Sequence, residues 1–108
     1  AQNTTITLTA GTWTQLTDAN VTAITFQNRG GQFMYVTGTT GTTAPTDTTG
    51  AVRYNPGQGE RNVLLTDLFP GIAAVRVWAL SDQAVDVMVA TRDVVFDLNT
   101  PDDFAGNW

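Results

Sequence analysis

From Val85 to Val89 every second residue is valine, with Asp86 and Met88 between them, and the same beat opens the chain, where Ile6 and Leu8 alternate with Thr5, Thr7 and Thr9. Side chains of an extended strand point alternately to opposite faces, whereas a helix returns to one face about every 3.6 residues. A two-residue period therefore commits these stretches to half-buried strands. The pattern recurs. Thr22, Ile24 and Phe26 oppose Val21, Ala23 and Thr25; Phe33 and Tyr35 oppose Met34 and Val36; Val75 and Val77 oppose Arg76 and Trp78. Thr is the dominant polar residue, and β-branched side chains favour sheet over helix.

Turn chemistry separates the runs. Asp18–Asn20, Asn28–Gly31 and the Pro56–Gly57 pair each suit a reversal, the last a type II turn. The stretch from Gly38 to Gly50 has no apolar period and reads as a long exposed loop ahead of a short strand at 51–54. Around Val63–Phe69 a strand running 61–65, followed or not by a turn of helix at 66–69, ends at Pro70–Gly71. The short Ser81–Gln83 connection predicts that the strands on either side of it pair as an antiparallel hairpin. The fold expected is all-β: a single β-sandwich or small β-barrel of seven or eight short antiparallel strands over residues 1–92, with an extended C-terminal arm over 93–108.

Composition narrows the chemistry. The chain has 108 residues, enough for one domain with its own core, and it contains neither Cys nor His. Disulfides, thiolate metal sites, Cys nucleophiles and His-based acid/base catalysis are thereby excluded, and a Ser triad built on the lone Ser81 lacks its base. Asp82 with Asp86, or Asp102 with Asp103, lie on a turn and a tail, not across a cleft as paired-carboxylate hydrolysis requires. The 57–62 stretch GQGERN resembles a phosphate loop only superficially, without the Lys of a P-loop or a following helix. No enzymatic activity, metal, cofactor or small-molecule substrate is expected. Trp13, Trp78 and Tyr35 are candidates for stacking on a sugar, although a sandwich core needs large aromatics for itself.

All five cations are Arg, and the formal net charge is −5. Without a basic cluster, nucleic acid is not an expected partner. No stretch has the apolar length to span a bilayer, so membrane association is not expected either. Ala1 reads as what removal of an initiator Met leaves, as in a protein made and used in the cytosol. The charge is uneven. Residues 1–92 carry five Arg against six acids, whereas 93–108 carry Asp93, Asp97, Asp102 and Asp103 with no base. That acidic tail also contains Phe104 and Trp108, behind Pro101. Aromatics there suit docking on another polypeptide, with Asp102, Asp103, Phe104, Asn107 and Trp108 as the candidate partner-binding residues. The alternative is an edge strand at 94–98, with Trp108 folded back over its own domain.

Several features together resemble small all-β virion structural proteins of tailed bacteriophages: the Thr-rich opening strand, the TAPTD loop at 43–47, the PGQGE turn at 56–60, the LFPG corner at 68–71 and a final hairpin beginning with RVWA at 76–79. The likeness covers roughly residues 5–91 and is greatest to head decoration, or cement, proteins. It implies a homotrimer made in the host cytoplasm and placed on the capsid exterior, where it bridges major capsid protein subunits and stabilises the head without catalytic residues. The alternatives are a tail or head-fibre component acting in host attachment, and a carbohydrate-binding module using Trp78 and Tyr35.

Overall fold

The computed structural model describes residues 2–93. Eight strands and one helical turn follow in order: β1 (Asn3–Thr7), β2 (Thr14–Gln15), β3 (Val21–Asn28), β4 (Met34–Thr39), β5 (Val52–Tyr54), β6 (Gly59–Leu64), α1 (Leu65–Leu68), β7 (Arg76–Leu80) and β8 (Asp86–Asp93). They form two four-stranded antiparallel sheets, one in the order β1-β8-β3-β6 and the other β2-β7-β4-β5. The all-β sandwich expected from the sequence is the observed architecture.

The order has a simple generating rule. β1 pairs with β8, β2 with β7, β3 with β6 and β4 with β5, so the chain is one long hairpin folded about β4–β5. Rolling that hairpin up brings β3 against β8 and β4 against β7, which completes both sheets. This is the jelly-roll arrangement, in which two Greek keys share the strands of a sandwich. Only the β4–β5 connection stays within a sheet; the others cross between sheets.

The rule overturns one sequence expectation. β7 and β8 do not form a hairpin: they lie in opposite sheets. Their connection, residues 81–85, contains Val85, which is buried in the interior, and Ser81, whose buried Oγ donates to the Phe33 carbonyl at 2.7 Å. Five residues reach well past the roughly 10 Å between packed sheets. Both sides of β7 are taken by β2 and β4, and both sides of β8 by β1 and β3, so neither strand has an edge left for the other. The expected turn at 55–58 does form: the Gln58 amide donates to the Asn55 carbonyl at 3.0 Å across Pro56 and Gly57, and Gly57 takes the positive φ of 84° that a type II turn demands.

β3 departs from strict alternation. Val21 pairs with Asp93 and Ala23 with Arg92, so Thr22 is an extra residue, a β-bulge. Beyond it Ile24, Phe26 and Asn28 share the inward face opposite Thr91, Val89 and Val87, while the bulge lets Val21 point inward as well. The interior is filled from both sheets by Leu8, Phe26, Met34, Val36, Val77, Val87 and Val89, all at most 1% exposed. Phe26 meets Tyr54 edge-on, with centroids 4.9 Å apart and planes at 88°. The α1 turn closes one end, and the Phe69 ring after it lies against Gly38 of β4, where a Cβ would meet ring carbon at 2.6 Å.

A sandwich whose connections cross between sheets brings loop backbone into the interior, and those groups need partners. Asn28, fully buried, supplies most of them at one corner. Its Nδ2 donates to the carbonyls of Gln32 at 2.8 Å and Tyr54 at 3.2 Å, and its Oδ1 accepts the Gly30 amide at 3.0 Å. Its own amide donates to the Gln58 carbonyl, and its carbonyl accepts the Gly57 amide. One side chain thus ties the β3–β4 crossover to β5, and the backbone ties β3 to the 55–58 turn. Asn28→Ala leaves buried carbonyls unpaired and is expected to cost roughly 2–4 kcal/mol. Urea denaturation measures it, and an unchanged midpoint contradicts the assignment.

Tyr54 also links layers, its hydroxyl donating to Glu60 Oε2 at 3.0 Å. Burial first, and the Glu60 carboxylate second, push its phenol well above the ordinary range. The unfolded chain releases this proton near pH ~10 while the folded chain retains it, so the contribution is full below that pH and declines as the pH rises past it. Above pH ~10 the melting temperature is expected to fall more steeply for wild type than for Tyr54→Phe. Parallel profiles contradict this.

Candidate interaction surface

Register assigns the outward side chains of each sheet. On the β2-β7-β4-β5 sheet, Trp78 lies between Gln15 and Thr37, Tyr35 lies between Leu80 and Arg53, and Thr39 is opposite Arg76. Phe33 precedes Tyr35 by two residues and its ring lies on this side too, whereas Trp13 sits just before β2 in irregular chain. Trp13, Phe33, Tyr35 and Leu80 are all half-buried. The Phe33 and Tyr35 rings meet edge-on at 5.6 Å and 85°, and the Arg53 guanidinium carbon sits 4.1 Å from the Phe33 ring centroid. Such a cation–π contact at an exposed site contributes about 0.5–1 kcal/mol and fixes the Arg in place.

Trp78 behaves differently from its neighbours. It is 7% exposed, and its Nε1–H donates to Thr39 Oγ1 at 2.8 Å, which in turn donates to the Gly41 carbonyl at 2.6 Å. The ring is thereby fixed to its own sheet and tied to the start of the 40–51 loop. Of Trp78 and Tyr35, the pair named for a carbohydrate-binding module, Tyr35 is the more accessible. Arg76, at the far end of the sheet, donates from Nε to Asn20 Oδ1 at 2.9 Å.

The other outer face has a different chemistry. Its rows are Asn3, Ala90 and Thr25; Thr5, Met88 and Gln27; and Thr7 with Asp86, whose Oδ1 accepts the Thr7 hydroxyl at 2.6 Å. Two open grooves flank Thr25. One, of about 530 Å³, is lined by Gln27, Gly57, Glu60, Arg61 and Met88 among others; the second, of about 400 Å³, by Ala23, Asn62, Ala90 and Arg92 among others. Between them β6 bulges: Ile24 pairs with Val63 but Phe26 with Glu60, and Asn62 takes a left-handed φ of 48° while its amide donates to Thr25 Oγ1 at 2.7 Å. The grooves bring together no nucleophile and base, and the Glu60 carboxylate already accepts from Tyr54. Among the described residues, no group of three or more His, Cys, Asp or Glu side chains converges as a metal site. Exposed large apolar side chains are scattered: Val52 on β5, Leu64 on β6 and Ile72 after α1.

The sequence candidates divide accordingly. Asp102, Asp103, Phe104, Asn107 and Trp108 lie outside the described residues. Asp93, assigned with them to the tail, is the last residue of β8 and pairs with Val21. Gly59–Asn62, the end of the superficial phosphate-loop stretch, is strand β6. Tyr35 and Trp78 do share one face; Trp13 lies before β2, outside the strands. Sequence reading missed Arg53, which reaches Phe33 only because β5 pairs with β4 across the 40–51 loop. Alternation already put Phe33 beside Tyr35; nothing local announces the partner strand. No protein-family model, curated protein or solved structure matches the chain.

Proposed function

We propose that this protein is a bacteriophage head decoration (cement) protein that binds the outer capsid surface and bridges major capsid protein subunits. The observation that carries the reading is the inequality of its two outer faces. One is mostly threonine, asparagine and glutamine; the other sets Phe33 and Tyr35 beside Arg53, with Leu80 next to Tyr35 on the adjoining strand. Aromatics and Arg are the residues enriched where proteins meet proteins, and an isolated domain gains nothing from half-exposing them. The sequence resemblance to phage virion proteins over roughly 5–91 supplies the context. Jelly rolls build viral capsid domains, although the same architecture also builds lectins, so the fold by itself favours neither.

The mechanism is mechanical. Each copy adds contact area across a joint between capsid subunits, and linked copies hold by avidity even where each contact is modest. The acidic tail is the second grip: Phe104 and Trp108 bury apolar area on the capsid at about 25 cal/mol per Å², before ordering costs, while Asp102 and Asp103 orient it against basic residues at the rim. Deleting residues 101–108 is expected to leave the circular dichroism and melting of the domain unchanged and to abolish binding to purified capsids. Unchanged occupancy contradicts the tail's role. Copy number separates the location: hundreds per particle for a cement protein, a handful for a tail or fibre part.

A second reading, carbohydrate binding on the same face, is favoured by the neighbouring Tyr35 and Phe33 rings, with Trp78 on the adjoining strand as a reporter. Titrating host polysaccharides while following tryptophan fluorescence is expected to give no saturable change if the face is a protein contact. A saturable change supports the glycan reading instead.

A further inference from the structure

The four sheet edges are not equally protected. β6 is interrupted by the bulge at Asn62 and carries Glu60 and Arg61; β5 is only Val52–Tyr54, with Arg53 in it and Pro56 just beyond; β2 is only Thr14–Gln15. Bulges, charges, Pro and shortness are the devices by which edge strands avoid pairing with other chains. β1 has none of them. It runs Asn3–Thr7 without a bulge, without Pro and without a charge, and the first charged side chain in the sequence is Asp18.

Register shows which backbone groups β1 leaves open. The Leu8 amide donates to the Val85 carbonyl and the Thr91 amide to the Gln2 carbonyl, so residues 2, 4, 6 and 8 are those bonded to β8. The N–H and C=O groups of Asn3, Thr5 and Thr7 point the other way, and no described residue pairs with them. All three residues are exposed.

We propose that β1 pairs antiparallel with β1 of a second copy, about a two-fold axis at Thr5, joining two four-stranded sheets into one of eight strands. Thr5 faces Thr5 of the second copy and Asn3 faces its Thr7, each pair exchanging two N–H···O=C bonds. Self-pairing of an antiparallel strand closes by symmetry and leaves no further open end at that edge. Thr opposite Thr is a favourable cross-strand pair, whereas like charges opposite each other are not. For a chain of net charge −5, the uncharged N-terminal stretch is where two copies approach at least electrostatic cost. The acid nearest this edge, Asp86, already accepts the Thr7 hydroxyl. Five residues of strand bury far less than a standard interface, so the dimer belongs to the weak, concentration-dependent class. The inference rests on the strand edge alone and departs from the homotrimer that the resemblance implies, and its test needs no capsid.

Analytical ultracentrifugation of the full chain up to millimolar concentration is expected to show a monomer–dimer equilibrium. Thr5→Pro removes an outward N–H without touching the β1–β8 bonds, and edge positions of this kind tolerate Pro. It is expected to give a monomer with an unchanged melting profile. In a chain with no cysteine, Thr5→Cys places two thiols on residues about 5.5 Å apart between Cα atoms, within disulfide reach. Oxidation is expected to cross-link Thr5→Cys and not Thr48→Cys, on the exposed 40–51 loop; this arm decides the matter if Thr5→Pro fails to fold. A monomer throughout the range, a trimer, a dimer indifferent to Thr5→Pro, or Thr5→Cys that stays reduced each overturns the proposal.

Discussion

The structure depends on pairing the first strand with the last. β1 lies on β8 from Asn3–Ala90 to Thr7–Asp86, and every other strand pair is nested inside that one. A nested hairpin can roll into a sandwich only if its connections pass from sheet to sheet, and each passage carries peptide groups toward the interior. The buried Asn28, Ser81 and Thr17 answer that demand: Asn28 serves the β3–β4 corner, Ser81 binds the Phe33 carbonyl, and Thr17 Oγ1 accepts the Val77 amide. These polar residues belong to the fold as firmly as Phe26 or Val87, because a crossover without them leaves carbonyls and amides with no water to turn to.

Filling the interior in this way leaves two surfaces of different kinds. The β1-β8-β3-β6 face presents mostly threonine, asparagine and glutamine, with Met88, Ala90 and the exposed Leu64 among them and Arg61 and Arg92 at its grooves. On the other face the strands that contribute Val36, Val77 and Ala79 to the core turn Tyr35, Trp78 and Leu80 outward, and Trp78 is retained by Thr39. Alternation makes this distribution unavoidable once an aromatic occupies an outward position. The physical question for function is what covers the rings that remain half-exposed.

Most strands were legible because the two-residue period is a local signal. Val85, Val87 and Val89 face the interior as alternation requires, and so do Met34 and Val36. The Pro56–Gly57 turn was legible too, since only glycine takes φ near 84° without cost. What the sequence concealed was long-range. A short Ser81–Gln83 connection looks like a hairpin until β2 and β4 claim β7 and β1 and β3 claim β8, and the Thr22 bulge, which turns Val21 inward, comes from register against β8. Arg53 joins Phe33 through a strand pair formed across a loop of a dozen residues, for which no local pattern exists. The candidate tail residues, by contrast, were chosen on composition alone, and they lie outside the described residues.

The capsid reading proposed for this protein turns on whether, and where, it sits on a phage particle. A high-resolution electron-microscopy map of tailed-phage particles assembled with the protein present tests that reading, giving presence, location, stoichiometry and the course of the C-terminal segment at once. The capsid reading predicts sandwiches repeated over the outer head surface, each with its aromatic face or its last residues against major capsid protein. Density confined to the tail or fibres, or Phe104 and Trp108 folded onto their own sandwich with the aromatic face open to solvent, would contradict it.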